Sequence, residues 1–250
     1  MAVADHRFVL TAAHVVHQGA LVNATLGISG TVDGEFVAAP GNWILSGGSA
    51  DRAADEHDIA VYEFSKEQSQ RFADDVFVRV ADAEFPIDLS HGFFVVSGFP
   101  GVWSTSPSPS DTTLSTKMLQ YGTFALQGSV AGLDGYNPKR HFLLEASPDN
   151  LLDIKGNDVS FRTRTGYSAQ MPRDLAGVSG CSVWMMGDLR EPIEQWSTKT
   201  ARLVGIETSV YQTRRAIKAT RWNGVTTLLH AAFPQVRRVL EMYARQHNGP

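Results

Sequence analysis

Three short segments, far apart in the chain, carry the residue types from which nucleophilic catalysis is built. They are TAAHVV at 11–16, DIAVYEF at 58–64 and GVSGCSVW at 177–184. A serine hydroxyl is a weak nucleophile until an imidazole takes its proton. The imidazole in turn needs a carboxylate to fix its tautomer and stabilise its cation. His14, Asp58 and Ser179 supply these parts. Ala12 and Ala13 are small enough to let backbone lie close behind the imidazole, and Gly177 and Gly180 permit a tight turn around Ser179. Such a turn can aim the N–H groups of Gly177 and Ser179 at one point, an oxyanion hole for acyl transfer.

The elements that must position these groups are mostly strands. β-rich runs separated by Gly, Pro, Asn and Asp occur at Arg7–Thr11, Leu21–Leu26, Phe36–Ala39, Asn42–Leu45, Ile59–Phe64, Phe93–Gly98, Gly122–Val130, His141–Glu145, Ser182–Met186 and Leu203–Val210. FVLTAAHVV reads as a strand. Helical spacing is confined to a short polar run, Lys66–Ala73, and to Thr226–Gln246, where Pro234 should break the helix and leave Pro234–Gln246 as its firm part. The fold class is therefore all-β, as barrels or sandwiches, with a C-terminal helix. Ser104–Thr116, dense in Ser, Thr and Pro, reads as a long loop, and a second insertion spans 147–176. The turn-rich ADAEFPIDLS divides two lobes, giving an N-terminal lobe at 1–85 with His14 and Asp58, a second lobe at 86–225 with Ser179, and a helix at 226–250.

Composition narrows the function classes. The 250 residues are 43% hydrophobic and 19% charged, enough to bury a full core and too apolar for a disordered chain. A single cysteine, Cys181, excludes an internal disulfide framework and suits a reducing, cytoplasmic setting. The net charge of −4 is uneven: residues 1–100 hold 5 Lys and Arg against 14 Asp and Glu. The remaining excess of base is scattered and not interleaved with aromatics, so no nucleic-acid surface is expected. No apolar run approaches a membrane span. Asp5 and His6 stand where the basic start of a signal peptide belongs.

Other chemistries fit less well. Ser179, Asp188 and His230 stand in the order used by α/β-hydrolases, but Cys181 replaces the second glycine of the nucleophile elbow and the βα units are missing. His14 and His17 form H-x-x-H without the glutamate of a zinc helix, and His57, His91 and His141 have no partner visible in sequence. Cys181 reads as a small packing residue. Phosphate loops, dinucleotide fingerprints and paired-cysteine clusters are missing from the sequence, so no cofactor or metal is expected.

In order and flanking residues the chain resembles the trypsin-like serine peptidases of the chymotrypsin fold, in their bacterial, disulfide-free form. The resemblance runs from about Arg7 to Val210 through TAAH, DIA, VSGFP at 96–100, GVSG and LVGIETS at 203–209. It implies two six-stranded β-barrel lobes with the triad between them, and a serine endopeptidase that hydrolyses peptide bonds through an acyl-enzyme. It also implies that Ile206, Glu207, Thr208, Ser209 and Val210 form a substrate-binding strand, with Thr208 supporting Asp58. Arg173 falls where the floor of the specificity pocket is expected, which would favour acidic side chains before the cut.

Three departures matter. Val178 stands where many relatives carry an acidic residue, so no activation salt bridge to a freed N-terminus is expected. Cys181 and Ser182 replace residues usual after the nucleophile. Only thirteen residues precede His14, so the first barrel is expected to be one or two strands short. A protein or peptide substrate follows from the resemblance, and a regulatory protein partner from the incomplete first lobe. The alternative is a non-catalytic or partner-activated peptide-binding module on the same scaffold.

Overall fold

The computed structural model describes residues 1–28, 31–47, 55–83, 88–99, 119–128, 130, 132–146, 161–162, 168–169, 175 and 177–247. The first part of the chain contributes β1 (Ala2–Val3), β2 (His6–Ala12), α1 (Ala13–Leu21), β3 (Gly27–Ile28), β4 (Val37–Ala38), β5 (Ile44–Leu45), β6 (Ile59–Glu63) and α2 (Lys66–Ser69). There follow β7 (Gly92–Gly98), β8 (Leu119–Phe124), β9 (His141–Glu145), β10 (Phe161–Arg162), β11 (Ser168–Ala169), β12 (Ser182–Asp188), β13 (Arg202–Tyr211) and β14 (Ala216–Arg221). Two helices, α3 (Trp222–Ala232) and α4 (Arg237–His247), close the chain.

Six strands pair antiparallel in the order β8-β7-β12-β13-β14-β9. The sheet curls until its two edge strands meet: Ala125 bridges Leu144, the Leu126 N–H donates to Leu143 O at 2.9 Å, and Thr123 Oγ1 donates to Glu145 O at 2.6 Å. Curling removes two exposed edges and encloses a core of Phe94, Val96, Tyr121, Leu144, Val183 and Ile217. The alternation along β7 is the local cause, because Phe94 and Val96 face inward while Phe93, Val95 and Ser97 stay half-buried.

The first lobe is a four-stranded sheet, β1-β2-β6-β5, accompanied by the β3-β4 ribbon. Among the described residues it does not close into the six-stranded barrel that the sequence resemblance implies. One face, with Phe8, Ile59 and Val61, packs against Leu203, Ile206, Trp222 and Leu229, so the C-terminal helices and β13 complete its core. The other face gathers Val9, Tyr62, Phe64, Phe72 and Phe77 in edge-on and tilted ring contacts.

Several sequence expectations are corrected. FVLTAAHVV is not one strand: β2 ends at Ala12 and α1 starts at Ala13. Val15 and Val16 favour extended chain, but a contact from Asp58 overrides that preference. Leu21–Leu26 is not a strand, since Leu21 ends α1. Pro234 does divide the C-terminal segment, yet both sides are helical, with a 3₁₀ turn from Pro234 to Val236 between them. The whole of β14 escaped notice, because Ala, Lys, Thr and Arg carry little β signal until a neighbour on each side supplies the ladder.

Candidate active site

His14, the expected base, stands at the junction of β2 and α1. Ala12, the residue before the helix, has no side chain that could cap it. Asp58 takes that role from across the sheet: its carbonyl accepts the Ala13 N–H at 3.0 Å and its Oδ1 accepts the His14 N–H at 2.9 Å. An anion at a helix N-terminus is favoured by the free N–H groups and by the helix dipole. The second carboxylate oxygen, Oδ2, lies 2.8 Å from His14 Nδ1. One carboxylate therefore starts the helix and fixes the imidazole, leaving Nε2 as the nitrogen that can accept a proton. His14 is 8% exposed and Asp58 5% exposed, so water competes little for either.

Asp58 is itself held in place. Its backbone is left-handed, φ 54°, a conformation Asp tolerates better than most residues. Asp55 Oδ1 accepts the N–H groups of His57 and Asp58 at 3.1 and 2.9 Å, and the Ser46 hydroxyl donates to both Asp55 oxygens. From the second lobe, Thr220 Oγ1 donates to His57 O at 2.5 Å, and Gly224 leaves room for the His57 ring, which a Cβ would meet at 2.8 Å. A signal for this support lies in the sequence, since Asp55 precedes His57 by the spacing of an Asx turn and so can hold the backbone that leads into Asp58.

Ser179 sits in the turn before β12. Gly177 and Gly180 have φ of 94° and 89°, a region in which side chains are strained. At Gly180 the constraint is double, because a Cβ would lie 2.1 Å from Thr11 Oγ1 and 3.0 Å from the Ala12 nitrogen. The turn around Ser179 is thus pressed against the end of β2, two to three residues from His14. The Gly180 N–H donates to Glu207 O at 2.8 Å, and the Cys181 N–H to Val178 O at 3.0 Å. The N–H groups of Gly177 and Ser179 make no backbone hydrogen bond to another described residue. No hydrogen bond joins Ser179 to His14 among the described residues.

Of the expected substrate strand, Ile206, Glu207 and Thr208 are buried while Ser209 and Val210 are half-buried. The ladder from β13 to β12 ends at Glu207, whose N–H donates to Cys181 O at 2.9 Å. Beyond that point Thr208 to Tyr211 pair only with β14 among the described residues, with a bulge at Thr208. Thr208 Oγ1 is buried without a hydrogen-bond partner there, so the contact to Asp58 that the resemblance implies is not made in the described residues. Arg173 lies outside the described residues.

Glu207, expected as part of that strand, is also an acid inside the apolar run LVGIETSV, which is a signal in itself. It is 0% exposed and neither carboxyl oxygen has a hydrogen-bond partner among the described residues. Its carboxyl is pushed up to about 8, chiefly by burial; the nearby Ser179 hydroxyl and the Lys218 charge oppose that rise and the charge of Asp58 adds to it.

Burial pushes the Cys181 thiol up to about 12, and its Sγ fills the space beside Gly98, where a Cβ would meet it at 2.1 Å; a thiol so placed is not a nucleophile at neutral pH. Asp188 is paired with Arg190, and His230 with Glu241 at 3.1 Å, so the Ser, Asp, His order of α/β-hydrolases is not assembled. The buried His141 accepts the Asn137 N–H at its Nδ1. Among the described residues no group of three His, Cys, Asp or Glu side chains could hold a metal ion, and no helix is long and apolar enough to cross a membrane.

No protein-family model matches the chain, and no curated protein matches it. Among solved structures, the chain is similar to a Glu endopeptidase in complex with MPD, at 13% identity over 94% of this chain and 84% of that one, with a TM-score of 0.48. It is also similar to a thermostable serine protease from an extremophilic microorganism, at 13% identity over 94% and 88% of the two chains, with a TM-score of 0.49.

Proposed function

We propose that this chain is a serine endopeptidase acting on protein or peptide substrates. The reading is carried by the buried His14–Asp58 pair, with 2.8 Å between Nδ1 and Oδ2, facing a nucleophile turn that packs against the strand leading into His14. In this reading Ser179 Oγ attacks the carbonyl carbon and its proton passes to His14 Nε2. The resulting oxyanion accepts the N–H groups of Gly177 and Ser179. The C–N bond then breaks, His14 returns the proton to the leaving amine, and an acyl ester remains on Ser179. Water repeats the sequence and releases the acid. Asp58 holds the tautomer throughout and stabilises the imidazolium without taking its proton.

Thr208 to Val210 supply backbone groups beside the turn, on which an extended peptide can lie. One observation favours the second reading, a partner-activated or purely binding module: Ser179 is not hydrogen-bonded to His14 in the described residues. Bonds of this kind often tighten only once substrate is in place.

Intact-mass labelling with an uncharged fluorophosphonate separates the two. The peptidase reading expects one adduct on the wild type and none on Ser179→Ala or His14→Ala. A folded wild type that takes no adduct, or an adduct that survives Ser179→Ala, overturns it.

A further inference from the structure

The last helix carries a charged surface that the candidate active site does not use. Along its inner face, Leu240 is buried and Val239 and Tyr243 pack half-buried against the core shared by the first sheet and α3, which fixes α4 in place. Its outer face, with Pro234 of the preceding turn, borders a groove of about 590 Å³ lined by Arg237, Arg238, Glu241, Met242 and Arg245. Three cations and one acid share this groove, and the acid is already engaged: Glu241 Oε1 lies 3.1 Å from His230 Nε2. Arg237 is anchored, its Nε and Nη2 donating to the carbonyls of His230 and Ala231 at 2.7 and 3.1 Å. Among the described residues Arg238 and Arg245 make no hydrogen bond or ion pair, whereas Arg71, Arg79, Arg140 and Arg190 each meet a carboxylate.

We infer that this groove is a docking surface for an acidic segment of a partner protein, with an apolar side chain of that segment resting on Met242. Guanidinium groups take carboxylates through paired N–H···O bonds, which gives Arg238 and Arg245 the partners that this chain does not supply. Met242 is 53% exposed and stands about one turn from each of them, and its thioether adapts to varied apolar shapes. Because packing already fixes the backbone of α4, binding orders only side chains. A membrane surface fits poorly, since a basic helix that enters lipid needs its apolar face exposed and that face is buried here. A nucleic acid fits poorly as well. No ring lines the groove to stack on a base, and the net charge of −4 opposes a long polyanion, whereas a short acidic segment meets only the local field. No residue of the groove belongs to the triad, so the inference stands apart from the peptidase reading.

Fluorescence anisotropy tests this with three labelled probes: a short peptide of Asp and Glu around a central leucine, the same peptide with Asn and Gln in place of the acids, and an oligothymidylate of equal length. In about 50 mM salt the acidic peptide is expected to bind at least about 10-fold more tightly than either of the others, and about 500 mM salt should remove that advantage. Arg238→Glu combined with Arg245→Glu is expected to weaken it at least about 10-fold, and Met242→Ser a few-fold, with the melting temperature of the wild type because all three side chains are exposed. Lys199→Glu combined with Arg214→Glu changes the net charge equally at exposed positions elsewhere and is expected to leave binding unchanged. If the charge-reversed pair melts early, Arg238→Gln with Arg245→Gln gives the same readout. No binding of the acidic peptide to wild type at about 1 mM overturns the proposal. So does tighter binding of the oligothymidylate, an equal loss in the control pair, or undiminished binding to the groove variants.

Discussion

Asp58 illustrates how much one side chain can do when its neighbours are fixed. It caps α1 through the His14 N–H, holds the His14 ring, and depends on Asp55 and Thr220 for a left-handed backbone. At the same scale, two buried histidines make stability depend on pH. Burial, helped by the Lys218 charge, lowers His141 to about 4, and burial also lowers His57. A histidine with a depressed folded pKa takes its proton more readily in the unfolded chain. Its neutral form therefore costs nothing above about pH 6.5, and stability is lost as pH falls from there toward 4. For His141 the loss is on the order of 2–3 kcal/mol. Urea denaturation at pH 7, 6, 5 and 4.5 should show that fall, and His141→Gln should flatten it; equal slopes for the two proteins would remove His141 as the cause.

At the scale of elements, β2 and the turn before β12 meet, which sets the segments that carry His14 and Ser179 against each other. Gly180 is the contact point, constrained both by its φ of 89° and by Thr11 and Ala12. Gly180→Ala should cost about 1–3 kcal/mol for the strained backbone alone and should push the turn away from β2. The expected outcome is a lower melting temperature together with slow or absent fluorophosphonate labelling at temperatures where the variant is folded. Labelling at the wild-type rate would show that the approach of these two elements does not set the site.

At the scale of the whole molecule, the first sheet has no complete core of its own. Phe8, Ile59 and Val61 share one with Leu203 and Ile206 of β13 and with Trp222 and Leu229 of α3. The lobes and the C-terminal helices should therefore unfold as one unit. Leu229 is fully buried, and Leu229→Ala should cost about 2–5 kcal/mol for lost transfer energy and the cavity left behind. The loss should appear as one shifted transition in both near-UV and far-UV circular dichroism. Two separated transitions would mean that the sheets are energetically independent.

The sequence by itself determined the chemistry on offer and much of the strand pattern. His14, Asp58 and Ser179 stand out because a triad needs those residue types among small neighbours, and β7, β9 and β13 because alternating or continuous β-branched and aromatic runs bury only as strands. What stayed illegible depended on partners remote in the chain. That Ala13 begins a helix follows from the Asp58 carboxylate, 45 residues away in sequence, and β14 is a strand because β13 and β9 flank it. The spacing of Asp55 and the apolar run around Glu207 mark both acids in the sequence, but only the fold shows one collecting N–H groups behind Asp58 and the other buried next to the turn around Ser179. Residue type is local and limits what a position can do, whereas burial and hydrogen-bond partners arise only when distant segments pack, so the tertiary structure alone decides which acids gather N–H donors and which are buried without them.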